Sequence, residues 1–176
     1  MKILVVTPLF PPNQNDSARY CKELALQLSK TGHKVEVLTY GKFPESVSGV
    51  VINVVTQSLL IPIKLGVFIY KFFMSSLRQD LIIINNGPTT EFPSLFLYPF
   101  IGGKSIFVLS DEKATLGLKG VRKLTNSFLT KRLRTLEVNT DMYRKPEIHP
   151  FKNNILTEET FNRNWSQHQK EILNYA

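Results

Sequence analysis

A single cysteine, Cys21, stands among 176 residues. One thiol excludes an internal disulfide framework and fits a reducing compartment. Three histidines and that cysteine are too few for a convincing zinc site, so no metal is expected. Acidic residues are the next scarcity: 14 stand against 22 Lys and Arg, a formal charge of +8. The chain also lacks an uncharged apolar run of the ~18 residues a membrane-spanning helix needs. Its longest apolar stretch, 59–74, is broken by Lys64 and Lys71. A secretory leader is equally hard to draw. Lys2 precedes Ile3 to Val6, but the run stops at Pro8 with no small-residue cleavage site, and it reads as a buried strand. With 43% hydrophobic residues the chain can bury a core, which excludes wholesale disorder. The length suits one ordinary domain.

What is present is an alternation of β-branched runs and helical periods. Strands are expected at 3–7, 35–40, 50–56, 81–84 and 105–109. The first is continuously apolar, as in parallel sheets covered on both faces. Ala18, Cys21, Leu24, Ala25 and Leu28 predict a helix over 17–31, with Asp16 or Ser17 as N-cap and Gly32 as the stop. Further helices are expected at 62–78, 92–101 (bent or ended by Pro99), 120–136 and from 157 onward. Residues 142–154, with Pro146 and Pro150, read as loop. This pattern gives an α/β fold: a Rossmann-like, doubly wound, mainly parallel sheet with helices on both faces, in a single domain. Ligands of such sheets sit at the carboxyl ends of the strands, which directs attention to the loops 7–17, 85–91 and 110–118.

Candidate chemistry follows from those loops. Asp111 or Glu112 could act as a general base on a hydroxyl, or cap the next helix. Asn85, Asn86, Thr89 and Glu91 could hydrogen-bond sugar hydroxyls, although Asn-Gly-Pro is also an ordinary turn. Cys21 lies on an apolar stripe and reads as core, and His33 as a helix-end residue. Lys64, Lys71 and Arg78 recur every seven residues beside Leu65, Phe68 and Phe72. That row suits an anionic membrane surface, or else a crossover helix with snorkelling lysines. The stretch 119–134 holds Lys119, Arg122, Lys123, Lys131, Arg132 and Arg134 with no acid, fit for an anionic partner or a solvated face. Nucleic acid is the weaker partner, because exposed aromatics do not interleave with these bases.

Several segments together resemble the amino-terminal, acceptor-side domain of GT-B glycosyltransferases of the family 4 (group 1) type. They are the opening MKILVVTPLFPP (1–12), the helix ARYCKELALQL (18–28), the junction TGHKVEVLT (31–39) and the strand DLIIIN (80–85). The resemblance is good over residues 1–110 and weaker to 155. It implies residues 1–155 as the Rossmann-like domain, and 156–176 as a final helix docking back onto it, with the donor-binding carboxyl domain absent. The function implied is the acceptor-binding half of a split nucleotide-sugar-dependent hexosyltransferase, in glycan or lipid-linked saccharide synthesis. The alternative is a degenerate, non-catalytic domain binding a glycan, lipid or protein. On the first reading Asp111 and Glu112 are catalytic, and Asn15, Asp16, Ser17, Asn85, Asn86, Thr89 and Glu91 bind substrate. Lys64, Lys71, Arg78, Lys119, Arg122 and Lys123 face a membrane or anionic partner. The chain alone is expected to bind no cofactor, and a donor-binding subunit brings the nucleotide-sugar; a homo-oligomer is the other expected assembly. Location is expected to be cytoplasmic, at the inner face of the membrane. Three departures from the family stand out. Asn13 to Ser17 replace its Gly-Gly pair, Ser110 stands where it often has His, and Ile84-Asn85-Asn86 replaces a His-x-His pattern.

Overall fold

A computed structural model describes residues 1–110, 120–139 and 158–175. Six strands form one sheet in the order β3-β2-β1-β4-β5-β6, and every pairing is parallel. They are β1 (Lys2–Val6), β2 (Lys34–Gly41), β3 (Val50–Thr56), β4 (Leu81–Asn85), β5 (Ser105–Leu109) and β6 (Arg134–Glu137). The helices are α1 (Asp16–Lys30), α2 (Ile61–Ser76), α3 (Pro88–Ile101), α4 (Gly120–Arg132) and α5 (Glu158–Leu173). The expected Rossmann-like, doubly wound α/β architecture is therefore what the chain adopts.

Two apolar layers enclose the sheet. On one face Ile3, Val5, Val35, Val37, Ile83 and Ile106 pack against α1 and α5. On the other, Leu4, Val6, Leu38, Ile82, Ile84 and Phe107 pack against α2, α3 and α4. Successive strand residues point to opposite faces, so a strand covered on both must be apolar at every position. The central strands obey this: Ile3 to Val6 and Leu81 to Asn85 are all buried.

Three boundaries differ from expectation. Asn15, rather than Asp16 or Ser17, caps α1: its Oδ1 accepts the Ala18 N–H at 2.8 Å. Gly32, with φ +85°, ends that helix as foreseen, in a conformation few side chains tolerate. Helix α3 starts four residues early, at Pro88. Proline suits a first turn because it needs no hydrogen-bond donor there, and the Glu91 carboxylate reaches back to accept the Gly87 N–H at 3.0 Å. Pro93 and Pro99 lie inside α3 without ending it. Pro93 removes the donor that would serve the Thr89 carbonyl, and the Tyr40 hydroxyl donates to that oxygen at 3.4 Å. Finally, α4 stops at Arg132 instead of running to 136. The periodicity of Leu129, Leu133 and Leu136 fits a helix, but the backbone of 134–137 pairs with β5 in register Phe107↔Thr135. A four-residue edge strand leaves too short a pattern to be told from a helical turn.

Helix α5 closes the first face by stacking. Trp165 lies on the Tyr20 ring of α1 with centroids 5.8 Å apart, and the Tyr20 hydroxyl meets His168 Nε2 at 2.6 Å. His168 is buried, and desolvation lowers its pKa from 6.5 to about 4. A neutral ring with a protonated Nδ1 can accept the Tyr20 proton at Nε2. Between those two pKa values the unfolded chain binds a proton that the folded chain refuses. Stability is therefore complete above pH 6.5 and declines as the pH falls toward 4. Denaturant titrations near pH 7 and near pH 4.5 should show His168→Gln losing about 2 to 3 kcal/mol less than the wild type over that interval.

Candidate functional site

The strand order reverses direction between β1 and β4, and a cleft of about 460 Å³ opens there at the carboxyl ends of the strands. Its wall is built from Pro8, Leu9, Asn15 and Ser17 on one side and Asn86, Gly87, Pro88 and Thr89 on the other. Tyr40, Gln57 and Lys64 complete it from β2, the end of β3 and α2. The two loops foreseen at 7–17 and 85–91 therefore meet at this cleft. They touch: a Cβ added at Gly87 would lie 2.7 Å from Pro8 Cγ.

Beneath the cleft lies a buried polar knot. Asn85 Nδ2 donates to Ser17 Oγ at 2.7 Å and to Thr7 Oγ1 at 3.4 Å. Asn85 Oδ1 accepts the Ser110 hydroxyl, and the hydroxyls of Ser17 and Ser110 lie 3.1 Å apart. Asn86 Oδ1 accepts the Ser110 N–H at 3.1 Å. The knot ties the ends of β1, β4 and β5 to the start of α1.

The sequence-derived candidates separate accordingly. Asn15, Ser17, Asn86 and Thr89 line the cleft; Asp16, Asn85 and Glu91 do not. Glu91 is 1% exposed. Its Oε1 accepts from Gly87 N–H and, at 3.5 Å, from Asn126 Nδ2, and its Oε2 lies 3.6 Å from Arg122 Nε. It holds α3 to α4. Asp111, Glu112 and Lys119 lie outside the described residues. The lysine row divides. Lys64 reaches the cleft, 6.0 Å from the Tyr40 ring centroid, whereas Lys71 donates to the Val54 carbonyl at 2.8 Å. Arg78 is exposed beyond the end of α2, as is Lys123 on α4. Phe68 and Phe72, expected beside that row, are core residues.

Sequence reasoning missed Tyr40, Gln57 and the Pro8–Gly87 contact. The first two stand at carboxyl ends of predicted strands, so attention to the loops after β2 and β3 would have found them. Tyr40 stacks on Phe68, with centroids 4.3 Å apart and planes 6° from parallel, and burial pushes its pKa upward. Its phenol stays neutral and its ring is fixed. Among the described residues one ammonium, three carboxamides, two aliphatic hydroxyls and the Tyr40 phenol line the cleft, and no carboxylate does. Such a lining can fix a polar, negatively charged molecule against an aromatic wall. Among the described residues no cysteine lines it. Cys21 lies in the core, where burial raises its pKa from 9.0 to about 12. Among the described residues no cluster of His, Cys, Asp and Glu is placed to hold a metal.

The fold and cleft define a doubly wound parallel α/β domain with a switch-point site. Among solved structures, the chain is similar to the C-terminal domain of the coenzyme A biosynthesis bifunctional protein CoaBC, with a TM-score of 0.53. The likeness covers 97% of this chain and 93% of that one at 12% identity, which makes it a likeness of fold. No protein-family model matches the chain, and no curated protein does either. The glycosyltransferase assignment is corrected on these findings. The fold is shared with a coenzyme A biosynthesis domain, and the quoted segments are what any parallel α/β opening of this order requires. The split-transferase function, and its alternative of a degenerate member of that family, go with it.

Two outcomes test the site. Asn85→Ala leaves Ser17, Thr7 and Ser110 without their shared partner and should lower unfolding free energy by about 2 to 4 kcal/mol in denaturant titrations. Cys21 should resist a thiol-specific chromogenic reagent in the folded chain near neutral pH and react at once in denaturant.

Proposed function

We propose that this domain binds a small phosphorylated ligand of the mononucleotide class in the cleft between β1 and β4. The observation that carries the reading is the composition of the cleft wall: among the described residues that line it Lys64 is the one charged side chain, and it stands over the fixed Tyr40 ring. A cleft of about 460 Å³ lies within the range of small-molecule sites. The amino ends of α1 and α3 both reach it, through Asn15 and Ser17 and through Gly87 to Thr89. Helix amino ends favour negative charge. Asp16 opposes this at α1, and at α3 the Glu91 carboxylate already takes the Gly87 N–H, so the phosphate is assigned to Lys64. The ring of the ligand then lies toward Tyr40, and Asn15, Gln57 and Asn86 supply donors and acceptors to its polar edge.

This reading departs from the expectation that the chain alone binds no cofactor and leaves a nucleotide to a partner. It assigns no reaction: among the described residues that line the cleft none is a carboxylate, histidine or cysteine. The CoaBC domain lends it the fold and no substrate.

Titration calorimetry against nucleosides and their 5′-monophosphates and diphosphates tests the reading. A phosphorylated member should bind at least about tenfold more tightly than its nucleoside, and Lys64→Ala should erase most of that difference, worth about 1 to 2 kcal/mol. Equal affinity for nucleoside and nucleotide, no binding of either, or an indifferent Lys64→Ala would overturn it.

A further inference from the structure

The outer surface of α2 and α3 inverts the usual rule for a surface helix. The exposed positions of α2 hold Ile61, Pro62, Ile63, Gly66, Tyr70 and Met74, and those of α3 hold Pro88, Thr89, Phe96, Pro99 and Phe100. None is charged, and apart from Thr89, which lies in the cleft, only Tyr70 carries a polar group. A solvated helix places its charged residues on this side. Here the lysines of α2 turn elsewhere, Lys64 to the cleft and Lys71 to Val54.

The exposed apolar side chains form one surface. Tyr70, Met74 and Leu77 follow one another at i, i+4 and i+7 along one side of α2 and just past its end, and Phe96 and Phe100 do so at i, i+4 on α3. Phe73 meets Phe100 edge-on with centroids 5.4 Å apart, which joins the two helices. Tyr98 meets Phe128 at 5.3 Å and joins α3 to α4, whose outer side shows Leu124. Tyr70, Met74, Leu77, Phe96, Phe100 and Leu124 are each 40 to 73% exposed. Exposed cations stand at its margin. Arg78 follows α2, and Lys123, Lys131 and Arg132 are exposed on α4. The sole acid on the three helices is Glu91, buried against Arg122.

We infer that the α2–α3–α4 face seats on a lipid bilayer whose headgroups are anionic. An apolar centre almost without hydrogen-bonding side chains, bordered by Arg78, Lys123, Lys131 and Arg132, matches an acyl boundary below and anionic headgroups around it. A protein partner would find few polar groups to fix its register. A second copy meeting this face through a two-fold axis would set Lys123 and Arg132 against like charge. No helix among the described residues is long and apolar enough to cross a membrane, so the face lies on the bilayer and does not span it. The inference is independent of the ligand proposed for the cleft.

Flotation of the full chain with phosphatidylcholine vesicles, with and without phosphatidylglycerol, tests it. The chain should float with the anionic vesicles and bind pure phosphatidylcholine at least about tenfold more weakly. The triple variant Tyr70→Ser, Leu77→Ser, Leu124→Ser changes exposed positions outside the ring contacts that join the helices, so its melting temperature should hold while its partitioning into anionic vesicles falls at least about tenfold. Lys123→Glu with Arg132→Glu should weaken binding to anionic vesicles and leave binding to neutral ones unchanged. Absence of binding to either vesicle, or a triple variant that floats like the wild type, overturns the inference. A dimer in solution that the triple variant dissociates, without vesicle binding, also overturns it and gives the face to a second copy.

Discussion

The carboxamide of Asn85 holds together everything that gives this domain a site. Three loops leave the carboxyl ends of β1, β4 and β5, the first of them entering α1, and each would otherwise end in unpaired buried polar groups. Asn85 gives its two protons to Ser17 and Thr7 and takes one from Ser110. With that exchange complete, the polar floor of the cleft can be buried without an orphaned donor or acceptor. The Pro8–Gly87 contact above it follows, because the two loops are anchored at the same point.

The basic excess reads differently once it is distributed over the fold. Lys71 and Lys104 serve as long-armed backbone donors, Lys71 to Val54 and Lys104 to Ser76 and Gln79. Arg134 donates to the Tyr175 carbonyl, and Arg122 faces Glu91. Much of the charge of +8 therefore fastens elements to one another. Of the other cations, Lys64 stands at the cleft and Lys123, Lys131 and Arg132 lie exposed along α4. The apolar residues divide as unevenly. The face of the sheet covered by α1 and α5 is sealed by Trp165 and Tyr20, while the outer side of α2 and α3 presents aromatic rings to solvent.

The resemblance to a glycosyltransferase amino domain shows where a family likeness can mislead. An apolar first strand, an amphipathic helix and a second apolar strand recur wherever a parallel sheet starts in this order. They follow from burial on both faces and from the right-handed crossover. Segments that repeat those requirements carry the architecture and leave the reaction open, because chemistry resides in the few residues that line the cleft.

The strand and helix order was legible in the chain itself. Continuous apolar runs can be buried only from both sides, helical periods fill the spaces between them, and Gly32 marks a stop that few other residues could make. The loops at 7–17 and 85–91 were legible for the same reason, since strand direction alone places them at one end of the sheet. Which side chains meet there was decided by tertiary packing. Tyr40 and Gln57 come from the ends of β2 and β3, outside those two loops. Lys64 and Lys71 share a seven-residue spacing yet one turns to the cleft and the other to a strand carbonyl, and Glu91 turns inward to Gly87 and Arg122. Periodicity assigns a residue to a side of its own helix, and only the neighbouring elements determine whether that side meets core, cleft or solvent.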